Sequence, residues 1–228
     1  MKDIIIKNKN QKDSKYSEII DKSLNLGLKE ESKLPEWVLD IEGMSGKCYR
    51  HFINNLSSSI EDCRYLEIGA WKGSTSTSCG YGNKSISMDI VDNWSQFNPK
   101  GDVKKIFEKN ISRMKKDSGV EKISIHNQNY KKVNLGEKKF NLYFFDGPHL
   151  VEDQYNAIDM FIDKMDEEFI FIVDDWNWPM VSIGTEYAIR KNNLLVKKSV
   201  EIITTESKKR YAQSPFHNGY AFFILQKQ

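Results

Sequence analysis

Four residues that could bind a cation or move a proton follow two apolar runs of this chain. These residues are Asp146, His149, Asp174 and Asp175. The runs read as neighbouring parallel strands, whose carboxyl ends share one edge of a sheet, so we expect these side chains to lie close together. Three like charges in one place are unfavourable unless a cation neutralises them, and carboxylates are ligands that Mg²⁺ prefers. The sequence therefore indicates a divalent-cation site at Asp146, Asp174 and Asp175.

His149 is the candidate for proton transfer beside this cluster. A neutral imidazole is available at cellular pH because the ordinary pKa of histidine is about 6.5. A hydroxyl bound to a divalent cation has a lowered pKa, so a nearby imidazole can take its proton. Two simpler interpretations stay open. His149 could be a surface residue in the first turn of a helix, and Asp146 could cap that helix while the other carboxylates contact a cofactor or solvent.

A second candidate site is the turn that follows an earlier apolar run. The run ends at Glu67, Gly69 follows, and Gly73 comes four positions later. This pattern predicts a strand, a tight turn and a helix, in which Gly69 adopts a positive φ and allows close approach of a ligand. The open N–H groups at the start of the helix favour a polar or anionic ligand group. The same spacing also occurs in plain strand–helix turns.

The candidate ligand contacts in this turn are Glu67, Gly69, Ala70, Trp71, Gly73 and Ser74. Asp89 stands twenty residues after Gly69 and, with Ile90, ends the next predicted strand. A carboxylate at that place can accept hydrogen bonds from both hydroxyls of a ribose. An ordinary loop carboxylate is the alternative. The chain lacks the G-x-G-x-x-G pattern of dinucleotide folds and the lysine-containing phosphate loop.

Both sites resemble those of one enzyme family. The segment from Glu67 to Gly73 resembles the first motif of class I S-adenosylmethionine-dependent methyltransferases, acidic-x-Gly-x-x-x-Gly. The carboxylate spacing is similar to that of metal-dependent small-molecule O-methyltransferases of the catechol and macrolide-sugar types. Those enzymes bind Mg²⁺ through one acidic residue after the fourth strand and two adjacent residues after the fifth. They place a base three residues after the first ligand, where this chain has His149.

The resemblance covers roughly residues 43–178 and implies S-adenosylmethionine as cofactor. It implies Met44 at the methionine end of the cofactor, although helix packing would also explain that residue, and it adds Asp146 to the cofactor contacts. The sugar-type enzymes have His and the catechol-type enzymes Lys as the base, so the resemblance implies a sugar or glycoside hydroxyl ahead of a catechol as the small-molecule acceptor. Trp176 and Trp178 are candidate acceptor contacts, because aromatic rings stack on flat or sugar ligands, but they could equally cover the core.

The match has one departure and leaves other functions open. The macrolide-sugar enzymes carry Glu-Asp where this chain has Asp174-Asp175, so the reach of one ligand differs by a methylene. One alternative is a metal-independent methyltransferase, in which Asp146 contacts the cofactor and the aspartate pair is structural. Another is a non-catalytic nucleotide-binding module of the same fold.

Strands and helices alternate from residue 63 onward, which favours a parallel sheet with right-handed crossovers. The predicted strands are residues 63–68, 85–90, 122–127, 140–145, 169–173, 196–204 and 220–225. No helix separates the last two, so the last strand should be antiparallel, and the resemblance implies the same ending. We therefore expect a Rossmann-like, seven-stranded, mostly parallel sheet with helices on both faces.

Two parts of the chain are expected. Residues 41–228 form the methyltransferase domain, and residues 1–40 form an N-terminal helical extension that could serve as a lid or a dimer contact. The first fourteen residues are polar and are expected to be loose.

The charge and hydropathy of the chain do not indicate nucleic acid or a membrane as a partner. The net charge is +2, from 34 basic and 32 acidic side chains, which gives no reason to expect nucleic acid or a membrane surface. No apolar run approaches the ~20 residues of a membrane span. Cys48, Cys63 and Cys79 lack metal-type spacing and indicate reduced thiols in a cytoplasmic protein. A homodimer is compatible with these features.

Overall fold

Eight strands form one mixed sheet in the computed structural model, which describes residues 4–205 and 215–228. The strands are β1 (Ile4–Asn10), β2 (Arg64–Ile68), β3 (Ser87–Asp92), β4 (Ile123–Asn127), β5 (Phe140–Phe145), β6 (Met165–Asp174), β7 (Leu195–Thr204) and β8 (Tyr220–Gln226). Residues 1–3 of the predicted extension and residues 206–214 of the predicted methyltransferase domain lie outside the described residues.

Seven α-helices connect and cover these strands within the described part of the chain. They are α1 (Ser17–Leu28), α2 (Glu36–Leu39), α3 (Lys47–Ser59), α4 (Ser74–Gly80), α5 (Val103–Ser118), α6 (Val151–Asp159) and α7 (Pro179–Lys191). None of these described helices is both long and apolar enough to cross a lipid bilayer.

The strand order is β1-β7-β8-β6-β5-β2-β3-β4. Strands β2 to β6 pair in parallel, and β8 inserts antiparallel between β6 and β7. The predicted antiparallel last strand is therefore confirmed. The predicted number of seven strands is wrong, because β1 pairs antiparallel with β7 and adds an eighth. The expectation that the first fourteen residues are loose, which rested on their polar character, is wrong for residues 4–10. These residues form β1, although only Ile4 of the strand is even partly buried.

Helices cover both faces of the sheet, as predicted. One apolar core joins the sheet to α1, α3, α4 and α5, and a second core joins the other face to α6 and α7. Strand β5 lies between them and is buried at every position, which explains its continuous run of apolar residues. Ile20 and Leu24 of α1 belong to the first core, so the helix of the N-terminal extension packs on the same body as the rest.

Candidate functional site

A cavity of about 380 Å³ opens at the carboxyl ends of β2, β3, β5 and β6. Ligands of open α/β sheets bind at this edge. Of the predicted site residues, it is lined by Met44, Gly69, Trp71, Asp146, His149, Asp174, Asp175 and Trp178. The structure thus brings the glycine turn and the carboxylate cluster to one cavity.

Gly69 has the positive φ expected of the turn, at 87°. A Cβ at this position would lie 1.9 Å from the backbone oxygen of Asp146, so the turn passes directly against the residue that follows β5. Gly73 has φ of 84° and precedes α4, where a Cβ would lie 2.8 Å from the ring of Phe107. Both glycines are therefore required by packing between protein segments as well as by backbone conformation.

Asp92 is a cavity residue that the sequence reasoning missed. Strand β3 continues to Asp92, so the prediction that it ends at Ile90 is wrong. One carboxylate oxygen of Asp92 accepts hydrogen bonds from the backbone N–H groups of Ala70 and Trp71, each at 2.8 Å. The other accepts the N–H of Trp94 at 2.6 Å. Asp92 thus holds the glycine turn and faces the cavity.

Asp89 lies inside β3 and does not line the cavity. Its carboxylate is buried and contacts Lys138 Nζ at 2.7 Å and His126 Nε2 at 2.7 Å, on the side of β4. Ile90 is fully buried in the first core. The signal that would have corrected this assignment is the apolar residue Val91, which extends the run toward Asp92.

Three aspartates stand at the carboxyl ends of β5 and β6, at the cavity wall. Burial raises the pKa of Asp146, and the neighbouring Asp175 carboxylate raises it further. Burial also raises the pKa of Asp174, with added contributions from Asp146 and Asp175. Ligand atoms of Asp146, His149 and Asp175 all lie within 4.8 Å of one another, whereas Asp174 stands outside that set. Asp174 Oδ1 instead accepts the backbone N–H of Asp175 at 2.8 Å.

His149 is paired with Asp175, with 2.8 Å between Nε2 and Oδ2. The other Asp175 oxygen accepts a hydrogen bond from the Asn218 amide at 2.6 Å. Contact with Asp175 raises the pKa of His149 against the opposing effect of burial. Burial alone would raise the pKa of Asp175, but the contacts with His149 and Asn218 outweigh it and lower that pKa.

The two candidate acceptor tryptophans lie in different environments. Trp178 lines the cavity, is 41% exposed, and meets the His149 ring edge-on at 4.7 Å between centroids. Trp176 is buried in the second core instead, against Phe223 at 5.5 Å. Its indole N–H points to Glu201 rather than to the cavity.

Four further predicted contacts, Gly73 among them, do not line the cavity. Ala70 belongs to the turn held by Asp92, and Ser74 Oγ lies 3.1 Å from Ser45 Oγ. Glu67 is fully buried, and burial raises its pKa to about 8. The other residues that line the cavity, and that were not assigned to the site, are Ile68, Val91, Asn93, Trp94, Ser95, Gln96, Phe97, Gln128, Asn129, Tyr130, Gly147, Pro148, His217 and Asn218.

Comparisons with known proteins support the fold alone. No protein-family model matches the sequence, and no curated protein matches it. Solved structures do match. The O-methyltransferase TomG from Streptomyces achromogenes, in complex with SAM, has 12% identity and a TM-score of 0.54 over 95% of this chain and 92% of that chain.

Two other solved structures give similar values. The O-methyltransferase from Bacillus cereus, in complex with SAH, has 10% identity and a TM-score of 0.51 over 92% of this chain and 91% of that chain. TrmN from Thermus thermophilus has 8% identity and a TM-score of 0.55 over 84% of this chain, which spans only about half (52%) of that protein. The chain thus has the Rossmann-like fold of S-adenosylmethionine-dependent methyltransferases.

Proposed function

We propose that this chain transfers a methyl group from S-adenosylmethionine to a hydroxyl group of a small molecule. The main support is that one cavity joins a glycine turn held by Asp92 to a cluster of Asp146, His149 and Asp175. The first part suits the cofactor, and the second suits activation of a hydroxyl. The methyltransferase fold agrees with both.

The charge of the cavity suits the cofactor. S-adenosylmethionine carries a cationic sulfonium and an ammonium group, and four aspartates line the cavity wall, namely Asp92, Asp146, Asp174 and Asp175. We place the ribose hydroxyls at Asp92, which has acceptor capacity beyond the backbone bonds it already makes. The amides of Gln128 and Asn129 also line the cavity and suit the edge of an adenine ring.

The donor set fits a divalent cation. Asp146 and Asp174 each have a pKa raised by burial and by neighbouring carboxylates, a charge accumulation that a bound cation would relieve. We propose that Asp146, Asp174 and Asp175 hold Mg²⁺, which when bound lowers the pKa of a hydroxyl ligand. His149 then accepts the hydroxyl proton on its imidazole, and the cavity aligns the oxygen with the methyl group.

A second ligand set is favoured by one observation. The ligand atoms of Asp146, His149 and Asp175 already lie within 4.8 Å of one another. If His149 is itself a ligand, the nitrogen donor shifts the preference from Mg²⁺ toward Mn²⁺, Co²⁺ or Zn²⁺. In that case His149 is not the base, so the two sets differ in both metal preference and mechanism.

For the acceptor we propose a sugar or glycoside. Trp178 stands exposed at the cavity beside the His149 ring, where an aromatic face can stack on a sugar ring. Two alternatives are a metal-independent methyltransferase and a nucleotide-binding module without catalysis. Either would keep the cofactor cavity but would not need Trp178 beside the His149 ring.

Calorimetric titration of S-adenosylhomocysteine into the purified protein, with and without Mg²⁺, tests the proposal. We expect a dissociation constant in the micromolar range. Absence of binding under both conditions would refute the cofactor assignment. Binding without methyl transfer to any of a panel of sugar and glycoside hydroxyls would favour the non-catalytic module.

A further inference from the structure

Asp175 has a backbone conformation that residues other than glycine rarely adopt. Its φ is 56°, in the left-handed region, and His217, which also lines the cavity, has φ of 41°. Such a conformation is strained, and it persists only where the surrounding contacts hold it. Both ligand sets proposed for the metal include Asp175. The contacts that hold this residue therefore bear on the metal site whichever set is correct.

Two side chains fix the carboxylate of Asp175. Oδ2 faces His149, and Oδ1 accepts a hydrogen bond from Asn218 Nδ2 at 2.6 Å. The Asn218 amide is uncharged, so it directs the carboxylate and leaves the remaining lone pairs available to a cation. Hydrogen-bond partners behind a metal ligand orient that ligand and tune the affinity for the metal.

Asn177 holds the backbone of Asn218 in place. The N–H of Asn177 donates to the backbone oxygen of Asn218 at 3.0 Å, and the N–H of Trp176 donates to the oxygen of Gly219 at 3.2 Å. Gly219 packs so closely that a Cβ there would lie 2.5 Å from Asn177 Oδ1. The segment before β8 is therefore attached directly to the segment that follows β6.

The side chain of Asn177 anchors both segments to the end of β7. Its Nδ2 donates to Oγ1 and to the backbone oxygen of Thr204, each at 2.8 Å, and its Oδ1 accepts the N–H of Thr204 at 3.2 Å. The Thr204 hydroxyl in turn donates to the backbone oxygen of His217 at 2.8 Å. Asn177 thus joins three segments, although it does not itself line the cavity.

We propose that Asn218 is a positioning residue that orients Asp175 toward the proposed metal site, and that Asn177 holds Asn218 in the required place. This inference rests on the proposed function. The bonds of the two asparagines offset the strain at Asp175. They hold its carboxylate where a ligand atom lies within 4.8 Å of those of Asp146 and His149.

Titration of a divalent cation into protein freed of metal by a chelator tests the role of Asn218. Mg²⁺ and Mn²⁺ are each titrated calorimetrically, so that either ligand set is covered. We expect Asn218→Ala to weaken cation binding by about 10- to 100-fold, the usual effect of losing a hydrogen-bond partner behind a metal ligand. If Asn218 contacts only the acceptor or the cofactor, Asn218→Ala will leave the cation affinity unchanged, and the inference is then wrong.

Asn141 provides a matched control for Asn177. It is buried in β5, and its side chain also bridges to the backbone of a neighbouring segment. Oδ1 accepts the N–H of Arg64 at 2.8 Å, and Nδ2 donates to the oxygen of Asp62 at 3.0 Å. These contacts lie at the amino end of the sheet, opposite the cavity. We expect Asn177→Ala and Asn141→Ala both to lower stability in urea, but only Asn177→Ala to weaken cation binding.

A purely structural role of Asn177 gives a different result. Equal cation affinities in the folded Asn177→Ala and Asn141→Ala proteins would overturn the inference. If Asn177→Ala does not fold, Asn218→Ala decides alone, because it keeps the backbone bonds of its segment. Absence of cation binding to the wild-type protein would refute the metal site of the proposed function, and the inference with it.

Discussion

The His149 ring lies 2.8 Å from the Asp175 carboxylate, measured between Nε2 and Oδ2. This contact stabilises the charged imidazole and raises the pKa of His149. Only the neutral ring can accept a proton, so the contact sets the pH above which His149 can act as a base. The same carboxylate is a proposed metal ligand, and the base and the metal site are therefore coupled through Asp175.

Removing this carboxylate should lower the pKa of His149. We expect Asp175→Asn, in protein freed of metal by a chelator, to move the His149 titration to lower pH, because the amide cannot stabilise the charged ring. NMR of the histidine ring protons measures this. His51 of α3, whose pKa is lowered by its own burial, is the internal control and should titrate unchanged. An unmoved His149 titration would show that Asp175 is not its partner in solution.

Divalent cations should raise the thermal stability of the metal-free protein, because a ligand that binds only the folded state stabilises it. We expect Mg²⁺ to raise the melting temperature of wild-type protein and to have no effect on Asp146→Asn. With an all-oxygen ligand set, His149→Ala keeps the Mg²⁺ effect but loses methyl transfer. Loss of the thermal effect in His149→Ala, with Mn²⁺ more effective than Mg²⁺ on wild type, would favour His149 as a ligand.

Asp92 and Asp89 offer a matched pair of variants in one strand. Asp92→Ala should weaken S-adenosylhomocysteine binding by ~1.5–3 kcal/mol, because the change removes charged hydrogen bonds to the turn and to the ribose. Asp89→Ala should lower the free energy of unfolding, since it removes a buried partner of Lys138 and His126, but should leave ligand affinity nearly intact. Calorimetry and urea unfolding measure the two effects. A larger affinity loss in Asp89→Ala would restore Asp89 as the ribose contact.

The two tryptophans should separate acceptor binding from stability. Trp178→Ala should raise the KM for the acceptor with little change in unfolding free energy, because the side chain is 41% exposed at the cavity. Trp176→Ala should cost ~3–5 kcal/mol of unfolding free energy, the usual range for a buried tryptophan. Steady-state kinetics and urea unfolding provide the readouts. An unchanged acceptor KM in Trp178→Ala would exclude the stacking role.

Glu67 should make folding stability depend on pH. Burial raises its pKa to about 8, so the folded protein keeps the proton after the unfolded chain has lost it. The contribution of Glu67 is therefore fully present below its unfolded pKa of about 4.3 and is lost as pH rises through about 8.

Glu67→Gln should remove this loss. We expect the variant to be more stable than wild type at pH 8, by up to ~5 kcal/mol, with the difference shrinking toward pH 5. Urea unfolding of both proteins across this range is the measurement. A constant difference at all pH values would mean that Glu67 does not bind a proton on folding.

The central sheet could be predicted because its strands are apolar runs separated by helical patterns. Strand β5 is buried on both faces and its bounds match the prediction, residues 140–145. Strand β1 could not be predicted in the same way. Its side chains are mostly exposed, so they carry no pattern of buried apolar residues. Its place in the sheet comes from backbone hydrogen bonds with β7, which cannot be inferred from residue types.

The part of the site that could be predicted consists of acidic residues and a histidine that stand just after apolar strands. Asp146, His149 and Asp175 converge because they directly follow β5 and β6. Asp89 and Asp92 differ only in how far β3 extends, and strand ends are the least certain part of a sequence-based prediction.

The pairing of β1 with β7 joins two segments that are far apart in the sequence, with Ile4 opposite Thr204. During synthesis, β1 leaves the ribosome long before its partner strand exists. Until then the segment has no pairing partner in β7, and its exposed lysines and asparagines are residues that disfavour pairing with another chain. Pairing of β1 therefore joins segments of large sequence separation, a kind of contact that is slow to form because the intervening chain must first be closed into a loop.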